Sequence, residues 1–438
     1  MQKNQILEIL LDWNFWAKEV NTGITREEYL NTLISLITKT NQIICIAGIR
    51  RSGKSTLIKQ IARQLIDQQN ADTLIVNFED ERFLQRDLKL LIDTYNTYLE
   101  KVKPKGKPFI FLDEIQNIPG WERFARGVHE RTGTKIIVSG SSSKLLSAEL
   151  ATLLTGRHIM FFIYPLSFKE FLKFKNIPIA NEIEILTNRT TIMQMLDEYK
   201  EYGGFPEVVQ SHDKQRILLS YFETMIVRDV IERFNIRERE KIRTIAKFYL
   251  TNISSPISFN KISGFLNIPL TTVERFSGHL ETANVVFFLK KFSFSFKEQE
   301  KAQRKIYSAD VGLSNTIGFR FSENLGKIME NIAAVELKRR QSFDPQIEIY
   351  YWKDYQQREV DFVVKKGLDV VQLIQICHDI TSIGTKERET KSLIRAMKEF
   401  KLTEGLIITD DFESEEEIKG FKIKYVPMWK WLLLDRMV

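Results

Sequence analysis

Gly48 Ile49 Arg50 Arg51 Ser52 Gly53 Lys54 Ser55 Thr56 fits the pattern G-x-x-x-x-G-K-[ST] without a mismatch, and its reading decides the fold. The apolar run Ile43 Ile44 Cys45 Ile46 Ala47 before it reads as a buried parallel strand, and Thr56 to Leu65 continues at helical spacing. Strand, loop and helix is the context in which this pattern holds a nucleoside triphosphate. Gly48 and Gly53 let backbone N–H groups close around phosphate oxygens, with Arg50, Arg51, Ser52 and Thr56 in the same binding loop. Lys54 reaches the β and γ phosphates and Ser55 can hold Mg²⁺, so ATP and Mg²⁺ are the expected cofactors.

In Phe109 Ile110 Phe111 Leu112 Asp113 Glu114, four apolar residues form a buried strand that ends in two carboxylates. This is the form of a Walker B element, with Asp113 holding the metal's water shell and Glu114 polarising the attacking water. Thr73 to Phe78 and Thr134 to Val138 read as two more strands. The second runs into Ser139 Gly140 Ser141, where Ser141 is a candidate contact to the γ phosphate and, equally, these serines cap a helix from Lys144 to Leu146. Strands alternating with helices predict a doubly wound parallel α/β sheet with its ligand at the carboxyl ends of the strands.

The composition fits this reading and removes others. At 438 residues, 43% hydrophobic and 28% charged, the chain should hold two to four domains of ordinary soluble character. No apolar run approaches the ~18 residues of a membrane span, and the start lacks a secretory pattern, so a cytoplasmic protein with no membrane partner is expected. Two cysteines and five scattered histidines indicate neither a disulfide framework nor a metal cluster. A net charge of +7 permits nucleic-acid binding without demanding it. Ahead of the first strand, Trp13, Phe15 and Trp16 read as a small core or as a lid near the nucleotide base, and a helix is expected from Arg26 to Thr38.

The chain resembles the prokaryotic AAA-type ATPases that carry a C-terminal domain of restriction-endonuclease-like type. The phosphate loop with its paired arginines and Asp113 Glu114 Ile115 Gln116 carry the likeness. So do Leu154 Thr155 Gly156 Arg157, Tyr164 Pro165 Leu166 Ser167 Phe168 Lys169 Glu170 Phe171, and Gly203 Gly204 Phe205 Pro206 Glu207. The resemblance implies ATP binding and hydrolysis. Arg157 is then a candidate arginine finger, acting within its own subunit or across the boundary of a homo-oligomer, with a structural salt bridge as the other reading.

Five regions are expected: an N-terminal segment over 1–40, the P-loop ATPase domain over 41–195, a helical lid over 196–240, a winged helix over 241–318, and a restriction-endonuclease-like domain over 319–438. The winged helix rests on helices at Lys241 to Asn252, Ser258 to Leu266 and Leu270 to Ala283, and on a strand Phe292 to Phe296 paired with Lys305 to Ser308. It offers Thr271, Thr272, Arg275 and His279 to a DNA groove, and Lys297, Lys301, Arg304 and Lys305 to phosphates. Glu274 and Glu281 argue against that use. In the last domain Glu330 and Asp361 match two nuclease carboxylates, but Gln375 Ile376 Cys377 stands where the resemblance calls for Glu, any residue and Lys. Cleavage is not expected. The resulting reading is an ATPase that couples turnover to DNA binding or remodelling. The alternatives are a nucleotide-switched scaffold with protein partners, and an ATP-dependent nuclease.

Overall fold

Burial on both faces accounts for the continuous apolar strands of the first of two compact units, Met1–Ile163. The structure is a computed structural model that describes residues 1–141, 154, 156–319, 324–380 and 382–434. The first unit runs α1 (Lys3–Trp13), α2 (Glu27–Lys39), β1 (Ile43–Gly48), α3 (Lys54–Gln69), β2 (Thr73–Asn77), α4 (Leu88–Lys101), β3 (Phe109–Asp113), α5 (Trp121–Thr132), β4 (Lys135–Ser141) and β5 (His158–Ile163). The strands form one parallel sheet in the order β2-β3-β4-β1-β5. The two motif strands β1 and β3 therefore end at the same edge, with β4 between them. Gly48 closes β1 against β5: a Cβ there would stand 2.5 Å from the Ile163 carbonyl oxygen.

The outer strand β2 would expose its backbone groups, and the N-terminal segment covers them. Asn14 Nδ2 donates to the Ile75 carbonyl at 2.9 Å, the Ile75 N–H donates to Asn14 Oδ1 at 2.7 Å, and Trp16 Nε1 donates to the Thr73 carbonyl at 3.0 Å. Trp16 also stacks on Tyr98. Trp16 thus belongs to the cover of β2, whereas Trp13 and Phe15 lie against Lys59 and Arg63 of α3.

The second unit, Tyr164–Val438, begins with α6 (Phe168–Phe174), α7 (Glu182–Thr187), α8 (Arg189–Tyr202), α9 (Pro206–Gln210), α10 (Lys214–Thr224) and a π-helical stretch Met225–Glu232. Residues 164–195, grouped above with the nucleotide domain, contribute Phe168, Phe171, Leu172 and Ile192 to this unit's core beside Met329. Then come α11 (Arg239–Thr251), β6 (Ser255–Ile257), α12 (Phe259–Leu266), α13 (Leu270–Thr282), β7 (Val286–Leu289), α14 (Phe296–Lys301), β8 (Arg304–Ser308) and α15 (Val311–Ile317). The three strands pair antiparallel in the order β6-β8-β7. The expected strand Phe292–Phe296 is absent, and β8 pairs with β7 and β6 instead. Phe292 is held elsewhere: its N–H donates to the Tyr351 carbonyl at 2.6 Å and its ring packs on Phe400. Ser295 caps α14 through the Glu298 N–H, an S-x-x-E start signal inside what looked like strand alternation.

The rest of the unit is α16 (Leu325–Phe343), β9 (Ile347–Lys353), β10 (Glu359–Lys366), β11 (Asp369–Cys377), α17 (Ile383–Phe400), β12 (Glu404–Thr409), β13 (Ser414–Ile418), β14 (Phe421–Pro427) and α18 (Met428–Leu433). Its six-stranded mixed sheet has the order β13-β14-β12-β11-β10-β9. The Gly203–Gly204 pair serves this unit structurally. Asp310 accepts from the Gly204 and Gly312 N–H groups at 2.8 Å each, and a Cβ on Gly203 would lie 1.8 Å from Asp310 Oδ1.

Candidate nucleotide site

The phosphate loop turns through two left-handed residues, Arg51 and Gly53 (φ 67° and 92°), and delivers the chain to the start of α3 at Lys54. The first-turn N–H groups of a helix lack intrahelical acceptors, and together with the helix dipole they favour a phosphate at this end of α3. Lys54 is buried and donates to the Gly48 and Ile49 carbonyls at 3.1 Å each. The loop's central peptide is fixed from outside the motif: Arg26 Nη1 donates to the Ser52 carbonyl at 2.8 Å. The Arg26 N–H donates to Gln60 Oε1 at 3.2 Å, and Gln60 Nε2 donates to the Thr22 and Ile24 carbonyls at 2.8 and 2.9 Å. Residues 22–26 are thereby fastened to α3, and this is the part of the N-terminal segment that reaches the loop. Arg26 and Gln60 were missed in the sequence, where the one signal was a glutamine among the apolar positions of α3.

Asp113, at the end of β3, is buried and hydrogen-bonds Ser139 and Ser55. Burial and the neighbouring Glu114 charge push its carboxyl up to about 6, against the pull of Ser139, Ser55 and Lys54. The two expected metal holders, Ser55 and Asp113, are thus brought together. Ser139, on the strand between the two motif strands, is a partner the sequence reading passed over in favour of Ser141. Ser141 ends β4, and its side chain lies outside the described residues, as do Ser142 to Leu146 and Thr155. Glu114 takes a left-handed backbone (φ 51°), a conformation that costs a non-glycine residue energy and recurs at functional positions. Its carboxylate accepts from Gln116 Nε2. Arg50 Nη1 stands 3.6 Å from Glu79 Oε1, and Arg51 and Thr56 are exposed.

A nucleotide with its metal fits these residues: the buried hydroxyl of Ser52, in the loop itself, has no hydrogen-bond partner, and the donors of Lys54 and α3 converge beside a carboxylate and two serines. Arg157 requires a correction as a finger for its own subunit. β5 runs parallel to β1 with His158 opposite Ile43 and Ile163 opposite Gly48, and the Ile43 N–H donates to the Arg157 carbonyl. Arg157 therefore sits at the opposite edge of the sheet, roughly 20 Å from the loop at the rise of a parallel strand. Its guanidinium pairs with Glu130 of α5.

In the second unit Thr271, Thr272 and Arg275 share α13, with Thr271 and Arg275 exposed; Lys301 is exposed at the end of α14, and Arg304 begins β8. Arg275 lies 3.7 Å from Glu238 and Arg304 3.5 Å from Glu300. His279 stacks on Phe234 with 3.8 Å between ring centres, so it does not present itself to a groove. Lys305 is a correction: it faces inward, 1% exposed, onto Glu330, Glu359 and Asp361. Burial works against its charge, but Asp361 and Glu330 hold the ammonium well above the ordinary lysine range. Burial and Asp361 push Glu330 up to about 8. Gln375 Oε1 accepts from the Asp361 N–H at 3.3 Å and its Nε2 donates to Glu389 at 2.8 Å, while burial raises the Cys377 thiol to about 12. Among the described residues no group of three or more His, Cys, Asp or Glu side chains is arranged to hold a metal ion, and no helix is long and apolar enough to cross a membrane.

The AAA domain family model matches residues 40–172, and two domains of unknown function, DUF8612 and DUF4143, match 193–324 and 325–431. An uncharacterized protein of Methanocaldococcus jannaschii is 34% identical over 408 residues, covering 90% of this chain and 88% of that one. One of Haemophilus influenzae is 30% identical over 414 residues, covering 93% and 98%. Among solved structures, a Walker-type ATPase of Pyrococcus abyssi is 16% identical and covers 70% of this chain and 99% of that chain, with a TM-score of 0.41. AMPPCP-bound DnaA of Aquifex aeolicus is 17% identical and covers 62% and 91%, with a TM-score of 0.27. The chain belongs to the family of the M. jannaschii and H. influenzae proteins, as a member whose P-loop unit is an AAA domain.

Proposed function

We propose that the chain binds and hydrolyses ATP at the carboxyl ends of β1, β3 and β4, and couples that turnover to DNA binding or remodelling by its second unit. The observation that carries the ATPase reading is the meeting of Ser55, Asp113 and Ser139 beside Lys54. Lys54 and the first turn of α3 receive the phosphates, Ser55 and Asp113 hold Mg²⁺, and Glu114 orients the attacking water. The ion, when bound, neutralises charge on the transferring phosphoryl group. Lys54→Ala is expected to lose ATP binding, while Glu114→Gln binds ATP and turns it over at least ~100-fold more slowly. Nucleotide titration and phosphate release measure the two separately, and wild-type turnover by Glu114→Gln would remove Glu114 from the chemistry.

The order helix, strand, helix, helix, strand, short helix, strand from α11 to β8, with α14 between the two strands where a wing would turn, supports a winged helix, with Arg275, Lys297 and Lys301 exposed for phosphates. The second reading, a nucleotide-switched scaffold with protein partners, is favoured by the acidic neighbours of Arg275 and Arg304 and by Glu274 on the exposed face of α13. ATP turnover with and without single-stranded and duplex DNA, across a salt series, separates them: stimulation that weakens steeply with salt supports DNA, and none supports the protein dock.

A further inference from the structure

A buried charge cluster joins β8 of the three-stranded sheet to β10 of the six-stranded one. The Lys305 ammonium donates to Glu330 Oε1 on α16 at 2.8 Å and to Asp361 Oδ1 on β10 at 2.9 Å, and stands 2.6 Å from Glu359 Oε1. An ammonium has three N–H donors; Glu330 and Asp361 accept two of them, and Glu359 completes the cluster as an ion pair. The carboxylates are themselves held in place. The Tyr307 hydroxyl donates to Glu330 Oε1 at 2.7 Å, the Ile376 N–H donates to Asp361 Oδ2 at 3.0 Å, and Lys353 lies 3.4 Å from Glu359 Oε2. Neither the acids nor the lysine would tolerate burial alone, since an unpaired charge in the interior is far costlier than a paired one.

We infer that Lys305 is the resident cation of this carboxylate centre: its ammonium stands where Glu330, Glu359 and Asp361 converge, and so keeps the centre closed to metal. Its oxygen neighbours lie 2.6 to 2.9 Å from one point, whereas Mg²⁺ or Ca²⁺ needs oxygens at about 2.0 to 2.6 Å from that same point. Ammonium and ion therefore exclude each other. Gln375, which hydrogen-bonds the Asp361 backbone, adds a neutral amide where a further acid would have strengthened metal binding. Lys305 is also no substitute for the lysine that a nuclease places on the scissile phosphate, because it is buried and committed to three acids. The inference rests on this geometry alone and is independent of the ATPase reading.

The test is a Mn²⁺ titration of the full-length, nucleotide-free chain after EDTA treatment, read by melting temperature and by electron paramagnetic resonance of bound Mn²⁺. Wild type is expected to hold no Mn²⁺ that Asp361→Asn removes. Lys305→Met is expected to melt lower in EDTA and to regain at least ~2 °C in Mn²⁺, a gain abolished by adding Asp361→Asn. A folded Lys305→Met protein that ignores Mn²⁺ would overturn the inference. Should Lys305→Met not fold, the wild-type resonance decides: one Asp361-dependent Mn²⁺ per chain overturns the proposal and none sustains it. Plasmid cleavage by wild type in Mn²⁺ that disappears in Asp361→Ala would overturn it as well.

Discussion

Arg26 reaches the phosphate loop from 26 positions upstream and holds the Ser52 carbonyl from a buried position, stacked on Tyr29. A hydrogen bond from a charged group contributes about 1.5 to 3 kcal/mol, so Arg26→Met should weaken ATP binding by roughly 10-fold or more at unchanged fold. Isothermal titration measures it, and an unchanged affinity would show that the loop needs no such anchor. Lys135 makes a pH prediction. It donates to the Thr40 carbonyl at 2.8 Å, and burial holds its pKa down to about 8 from 10.5. Between those values the unfolded chain binds more protons than the folded one, so stability from this group rises with pH there and is lost as pH falls through about 8. The melting temperature of wild type relative to Lys135→Met should climb across that window; a flat difference would mean the ammonium is not desolvated. At this scale Lys54, Ser55 and Asp113 were legible because contiguous motifs carry them. Ser139 and Arg26 had no such marker.

Strand direction decides what β5 can do. Because β5 starts at the edge away from the phosphate loop, Arg157→Ala should leave turnover unchanged and cost at most ~1 kcal/mol, the worth of an exposed ion pair. Turnover that falls and depends on protein concentration would instead assign Arg157 to the site of a neighbouring copy. The turn between α8 and α9 is more demanding. Gly203 is left-handed (φ 73°) and stands against Asp310, so Gly203→Ala should destabilise the second unit by about 2 kcal/mol or more through strain and the collision with a buried carboxylate. Urea unfolding reads this out, and a loss below half a kcal/mol would mean that the turn relaxes freely. Several helices and strands were legible from periodicity, β1, β3 and α13 among them. The stretch Phe292–Phe296 was not, since alternating Phe and Ser satisfies a strand pattern while Ser295 and Glu298 satisfy a helix start. Tertiary pairing with Tyr351 settled the competition.

For the molecule as a whole, the DNA reading makes a quantitative demand. If Arg275, Lys297 and Lys301 neutralise phosphates, the logarithm of affinity should fall with log salt by about 0.9 per contact, and Lys301→Ala should lower that slope by about 1. Binding without a salt slope would favour a protein partner. The sequence by itself determined the nucleotide loop, the acidic strand end and the alternation of strands and helices, because a phosphate cradle needs contiguous backbone and a buried parallel strand needs a continuous apolar run. Only the tertiary structure decided that β4 separates the two motif strands and supplies Ser139, that Arg157 lies at the far edge of the sheet, and that Lys305 turns inward. Those depend on strand order and direction and on acids 25 to 56 residues away from the lysine. A lysine on a short strand looks the same in sequence whether it meets water or three buried carboxylates, and its partners alone fix which.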